Sequence, residues 1–420
     1  MLFADNEKRG GKMDAKERVK ALVKDEEAIN LVRNIVQIPS HWAQEKREKP
    51  ISDYLLDYFM KAGIDAYQQE VYPGRPNVVA VLHGTGEGKS LMFNGHIDTV
   101  PPFGMEDPFG AVIKDGKMYG RGTADMKSGV ATMAYAMKLL KDADVKLKGD
   151  LVYAGVIDED AAGSEGTRYI VRNGPLTDLA IVGEPTSLQP VVAHKGCDYF
   201  TVTFYGRSVH SSVPWNGANA NYAAAEFIRR VENEMIPEWS SKKHPFCSPP
   251  TINVGLVQGA AKANMPYLLG ESPTFAGIIP DLCKVHIDVR WIPTQTIKGI
   301  EEEFRKLAEE VASGREGIRA TVEFIDMYRP AMEISPDNIL VKSIQSNSKS
   351  VLKKEYPIKG ETYWGDSGLL CTLAGIPSIM YGPGDIGCAH SDVEWVETGE
   401  LAKAALIYAL TAIDVCGVAE

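Results

Sequence analysis

Between Asp14 and Pro39 the apolar residues Val19, Leu22, Val23, Ile29, Val32 and Ile35 recur at helical spacing, so the pattern predicts a helix capped by Asp14 and stopped by Pro39. A polar tail to about Lys12 precedes it, and a second helix is predicted over about 52–62. Asn77–Leu82 and Ser90–Phe93 are apolar runs of strand length, and HGTGEGK between them predicts a hairpin through a glycine-rich turn. A helix follows over 128–140, then strands over 151–157 and 179–182, with another far downstream over 378–381. This alternation predicts an α/β sandwich built on a mixed sheet.

From His194 the pattern changes. Strand 199–205, helix 221–235, strands 251–257 and 284–291, helix 297–311 and strand 320–325 follow in turn. That order is βαββαβ, a ferredoxin-like unit able to fold as its own layer. After Tyr328 the helix and strand alternation returns. The chain therefore reads as 1–193 and 329–420 forming one domain, with 194–328 inserted into it. Its 420 residues suit more than one packed unit.

Charge narrows the partners. With 45 basic and 56 acidic residues the net charge is −11, which opposes nucleic acid or an anionic membrane and favours a small-molecule substrate. No stretch approaches ~18 consecutive apolar residues and the charged start lacks a signal-peptide pattern, so a cytoplasmic protein is expected. The six cysteines form no CxxC pair, and most of them read as buried thiols. GTGEGKS resembles a phosphate loop, but His83 stands where its first glycine belongs and the segment leads into a strand, so a turn is expected.

Acids and histidines near the ends of apolar runs form a short set. LMFNGHIDTV places His96 and Asp98 past a strand, YGRGTADMKSG places Asp125 before a helix, and LVYAGVIDED places Asp158, Glu159 and Asp160 at a strand end. IVGEPTS does the same for Glu184, and YGPGDIGCAHSD puts His390 in a loop after a strand. Loops beyond strand ends are where α/β sheets bind ligands. Carboxylates gathered there repel one another unless cations sit among them. Imidazole and carboxylate without thiolate suit zinc, with cobalt or manganese as alternatives.

HIDTV, GRGTADMKSG, DEDAAGSEG, VGEPTS, GRSVHSSVPWNGANA and AHSDVEW, in this order over nearly the whole chain, resemble the motifs of one family. It is the acetylornithine deacetylase, succinyl-diaminopimelate desuccinylase, aminoacylase and carboxypeptidase family of dinuclear zinc metallohydrolases. The resemblance implies two divalent metal ions, one held by His96, Asp125 and Glu184 and the other by Asp125, Asp160 and His390. It makes Asp98 the partner of the other His96 ring nitrogen and Glu159 the general base toward a water bridging the metals. His210 would stabilise the oxyanion, reaching it in relatives from the partner subunit, and Arg290 would bind a substrate carboxylate. The inserted stretch becomes a lid and dimerisation domain, which implies a homodimer. Asp160 stands where many relatives have Glu, and Gly277 where they often have Asn. His41, His83, His194, His244 and His286 match no metal position.

The expected activity is hydrolysis of the amide bond of an N-acyl amino acid, the deacetylase and desuccinylase chemistry. A dipeptidase or carboxypeptidase using the same centre is the nearest rival. A metal-binding protein without catalysis and a nucleotide-binding protein using GTGEGKS are the others; retention of Glu159 opposes the first.

Overall fold

The computed structural model describes residues 13–419 except 162, 268–275 and 326, so the polar N-terminal tail lies outside the described residues. The chain divides into two units. One comprises Met1–Pro190, Ser335–Ile358 and Leu373–Glu420, and the other Val191–Ile334 and Lys359–Thr372. The inserted unit thus begins and ends a few residues outside the 194–328 expected from sequence. It also takes in 359–372, because Lys359–Glu361 pairs in parallel with Val191–His194.

In the first unit the sheet runs Asp65–Tyr72, Arg75–Leu82, Leu151–Val156, Leu91–His96, Leu179–Val182, Ser378–Met380. The first two pairings are antiparallel and the remaining three parallel, which makes the sheet mixed. The predicted hairpin between 77–82 and 90–93 does not form, because Leu151–Val156 lies between those strands. Gly84 N–H donates to Asp150 Oδ1 at 2.7 Å, and the Gly86 and Glu87 amides donate to the Lys148 carbonyl at 2.8 and 3.1 Å. The GTGEGKS loop therefore docks onto the segment that enters the intervening strand, and those amides are committed to protein acceptors. The hairpin that does form joins Asp65–Tyr72 to Arg75–Leu82 through Pro73 and Gly74, with Gly74 at φ +72°.

Helices Asp25–Val36, Lys127–Asp142, Ile339–Leu352 and Thr398–Cys416 pack in the same unit. The single N-terminal helix predicted is two, Ala15–Leu22 and Asp25–Val36. Asp14 caps the first by accepting from Glu17 N–H at 2.9 Å. The break follows from a tertiary bond, since Lys24 N–H donates to the Tyr135 hydroxyl at 3.0 Å in place of a helical carbonyl.

The second unit contains an antiparallel sheet in the order Thr251–Ala260, Leu282–Trp291, Gly196–Tyr205, Arg319–Ile325. With helices Ala220–Arg230 and Ile297–Ser313 it makes the βαββαβ arrangement expected. Alternate residues of Leu282–Trp291 are buried, as one covered face requires. Phe304 is fully buried, with its ring 5.3 Å from Phe200, 6.3 Å from Trp239 and 6.5 Å from Phe227. All six cysteines are free, and among the described residues no helix is long and apolar enough to cross a membrane. Phe304→Ala should destabilise this unit by ~3–5 kcal/mol, seen as a lower urea midpoint of its unfolding; an unchanged midpoint would contradict the core assignment.

Candidate metal centre

Four neighbouring strands of the first unit, Leu151–Val156, Leu91–His96, Leu179–Val182 and Ser378–Met380, run parallel. Their C-terminal ends consequently share one edge of the sheet, and the loops leaving that edge carry chemistry. His96 closes its strand and Asp98 follows two residues on. Glu159 and Asp160 follow Leu151–Val156, Glu184 follows Leu179–Val182, and His390 lies in the loop after Ser378–Met380. Asp125 arrives from the turn before helix Lys127–Asp142. That helix approaches closely because Gly129 meets Gly183, where a Cβ would fall 2.0 Å from the Gly183 carbonyl oxygen.

Ligand-capable atoms of His96, Asp125 and Glu184 all lie within 4.8 Å of one another, and so do those of Asp125, Asp160 and His390. Asp125 belongs to both groups. Its Oδ1 is 3.0 Å from His96 Nε2 and its Oδ2 3.2 Å from His390 Nε2. His390 Nε2 is also 3.0 Å from Asp160 Oδ1. His96, Glu159 and Asp160 meet the same distance condition, which brings Glu159 to the edge of the cluster.

The orientation of His96 is set by Asp98, though not through the carboxylate expected. His96 Nδ1 lies 3.0 Å from the Asp98 backbone carbonyl and 3.7 Å from Oδ1. A carbonyl only accepts, so in the neutral ring the proton sits on Nδ1 and the Nε2 lone pair faces Asp125. The Asp98 carboxylate instead accepts the Glu159 and Asp160 backbone N–H groups at 3.1 and 3.0 Å, which ties down the loop that carries both side chains.

The charges explain what the cluster needs. Burial opposes charge on Asp125, yet the His390 and His96 rings hold its carboxyl well below the usual range. Burial likewise opposes charge on His96, but Asp125, Asp160 and Glu159 lift that ring well above its ordinary value. Hydrogen bonds to Asp125 and then Asp160 push His390 up to about 11. Burial pushes Asp98 up to about 8. This excess of negative charge is the environment that divalent cations neutralise, and the oxygen and imidazole donor set fits two of them sharing Asp125. The His390 side chain is 51% exposed while Asp125 is 7% exposed, so the buried cluster opens to solvent on the His390 side.

Glu394 is part of this site and was not singled out from sequence. Nearly fully buried, it accepts N–H groups from Gly122, Ala124 and Asp125 at 3.1, 2.9 and 3.0 Å and the Arg121 guanidinium at 2.5 Å. It thereby fixes the turn that presents Asp125. Arg121 also donates to the Ser391 carbonyl at 3.0 Å, beside His390. Their sequence signal was that Arg121 lies within GRGTADMKSG and Glu394 within AHSDVEW, each four residues from a ligand-capable side chain.

His210 and Arg290 lie in the second unit. Ser212 N–H donates to His210 Nδ1 at 3.1 Å, so the neutral ring carries its proton on Nε2. Arg290 is paired with Asp288 through Nε and Nη2 at 3.0 and 3.2 Å. Gly277 is exposed. The other histidines have structural partners: His194, lowered by burial to about 4, lies between the Lys195 carbonyl and Ser367 Oγ. His244 accepts the Phe246 and Cys247 amides, His286 meets Thr201, His41 stacks on Phe109, and exposed His83 lies 3.4 Å from Asp65.

The profile of Peptidase family M20/M25/M40 matches residues 92–414. The acetylornithine deacetylase of Shigella sonnei (strain Ss046) is 32% identical over 386 residues, covering 88% of this chain and 93% of that protein. The chain belongs to Peptidase family M20/M25/M40, and is a metallohydrolase acting on amide bonds. Its fold is similar to aminopeptidase PepT from Bacillus cereus ATCC 10987, with a TM-score of 0.75, 21% identity, and coverage of 94% of this chain and 99% of that one. It is also similar to the Bacillus subtilis YXEP protein, a dinuclear metal binding peptidase from the M20 family, with a TM-score of 0.70, 17% identity, and coverage of 94% and 99%.

Glu394→Gln turns an amide N–H₂ toward groups that themselves donate. Divalent-ion affinity, titrated into metal-free protein, should fall ~10- to 100-fold, and an unchanged affinity would remove Glu394 from this role.

Proposed function

We propose that the protein is a deacylase that hydrolyses the amide bond of N-acyl amino acids, working as a cytoplasmic homodimer with two divalent ions, zinc in the first place and cobalt or manganese as alternatives. The observation that carries this reading is the pair of ligand groups sharing Asp125 with Glu159 at their edge. The 32% identity to an acetylornithine deacetylase supports the acyl amino acid as substrate, and the dinuclear centre named for the YXEP protein supports two ions.

His96, Asp125 and Glu184 would hold one ion and Asp125, Asp160 and His390 the other. When bound, the ions polarise the scissile carbonyl and acidify the attacking water. Glu159 takes the proton from that water as it attacks and returns it to the departing amine nitrogen, so one carboxylate serves both transfers. Asp98 holds the Glu159 backbone in place. His210, with its proton on Nε2, donates to the developing oxyanion, and it would be contributed across the homodimer. Arg290, oriented by Asp288, meets the carboxylate of the amino acid. Asp160, one methylene shorter than Glu, would hold its ion with a carboxylate whose Oδ2 already accepts the Val100 N–H at 3.0 Å.

Glu159→Ala should keep its metal and lose ~100- to 10,000-fold in turnover; turnover like the parent protein would refute the base. A chelator should abolish hydrolysis, with recovery on adding zinc or cobalt, and activity persisting in metal-free protein would exclude the mechanism. A panel of N-acetyl and N-succinyl amino acids set against dipeptides decides the substrate, with faster turnover of the acyl compounds expected. Preference for dipeptides would replace the deacylase reading with a peptidase.

A further inference from the structure

Strand Arg75–Leu82 runs antiparallel to Leu151–Val156, with Val78 opposite Gly155. Its beginning therefore lies beside the end of its partner, where the loop bearing Glu159 and Asp160 departs. Asn77, fully buried, grips that loop at both ends. Its Oδ1 accepts the Ile157 N–H at 3.2 Å and its Nδ2 donates to the Gly166 carbonyl at 2.9 Å.

Arg75, two residues earlier on the strand, reaches the residue just before Glu159. Its Nη2 lies 2.7 Å from Asp158 Oδ1. From its other side Glu48, only 1% exposed, holds the guanidinium through two bonds, Oε2 to Nε at 2.9 Å and Oε1 to Nη2 at 2.6 Å. The hairpin turn fixes where the arginine starts, since Gly74 N–H donates to Glu70 Oε1 at 2.7 Å. The Tyr72 ring lies 5.3 Å from the guanidinium carbon.

Asp158 is the knot of the loop. It sits at φ +73°, a left-handed conformation that a non-glycine residue keeps only when its surroundings hold it there. Its carbonyl accepts the Gly163 and Ser164 amides at 3.1 and 2.6 Å. A Cβ at Gly163 would fall 1.9 Å from Asp158 Oδ2, so bare backbone packs on one side of the carboxylate while Arg75 binds the other. Glu159 follows directly, and its N–H is held by Asp98.

We infer that Arg75 is a positioning residue for the general base: backed by Glu48 and acting through Asp158, it holds the loop in the strained form that aims Glu159. This rests on the reading of Glu159 as base. Arg75 also offsets the Asp158 charge, which would otherwise stand unneutralised beside Glu159 and Asp160.

The test compares Arg75→Met, Asp158→Asn and Glu159→Ala by steady-state kinetics, bound metal, and hydrogen–deuterium exchange of peptides covering 157–166. Arg75→Met leaves Glu48 buried and unpaired, so Asp158→Asn, which keeps the Arg75–Glu48 pair and weakens only the loop arm, guards against loss of folding. Arg75→Met should lower kcat ~10- to 100-fold with KM and metal content unchanged and with faster exchange of the loop. Asp158→Asn should move the same way by less, and Arg75→Lys should recover part of the loss. Added to Glu159→Ala, Arg75→Met should cost almost nothing more, because both changes remove one function. A full further loss in that background, a loss of metal in step with kcat, or unchanged kcat and exchange in both Arg75→Met and Asp158→Asn would overturn the inference. Parent-like turnover of Glu159→Ala would instead refute the base itself, while the exchange data would still decide whether Arg75 holds the loop.

Discussion

Carboxylates of Asp98, Asp125, Asp160, Glu159 and Glu184 crowd the C-terminal edge of one sheet around two imidazoles, and most of the group is withdrawn from water. Like charges at such distances repel strongly where water does not screen them. In the protein chain alone the histidines supply the compensation, which is why the carboxylates around them lift both His96 and His390. Divalent cations do the same with more charge at each point. Both ligand groups include Asp125, and its two oxygens face the two histidines.

The rest of the fold keeps this crowding in place. Parallel pairing brings the strand ends to one edge, and the Gly129–Gly183 approach lets the helix after Asp125 come close. Glu394 ties the Asp125 turn by its amides, while Asp98 and Asn77 tie the Glu159 loop by its backbone. Lys127, fully buried and lowered by burial to about 7, donates to the Ile35 and Ile38 carbonyls at the end of helix Asp25–Val36. Ligand-capable side chains held through their backbones from several directions have little freedom to relax away from one another, and that rigidity is what a preorganised metal centre requires.

The clustering of these acids and histidines was legible in the sequence because most of them stand just past an apolar run, and position after a strand is a local property. The ferredoxin-like order was legible for the same reason, as was the Asp14 cap. Strand pairing was not. Whether 75–82 meets 91–96 or 151–156 depends on contacts across more than sixty residues, and a glycine-rich loop reads the same in either case. The break at Lys24 rests on the Tyr135 hydroxyl, more than one hundred residues away. Asp98 shows the finer limit: its nearness to His96 was readable, yet which of its oxygens meets the ring is decided by the Glu159 and Asp160 amides. Glu394 and Arg121 stayed hidden because buried ion pairs look like surface charges until the chain folds.

As proposed above, Asp125 is shared by two cations. Diffraction data collected at the zinc absorption edge from crystals grown with zinc test it most directly. Two anomalous peaks are expected, one among His96, Asp125 and Glu184 and the other among Asp125, Asp160 and His390. A single peak, or peaks away from Asp125, would contradict it.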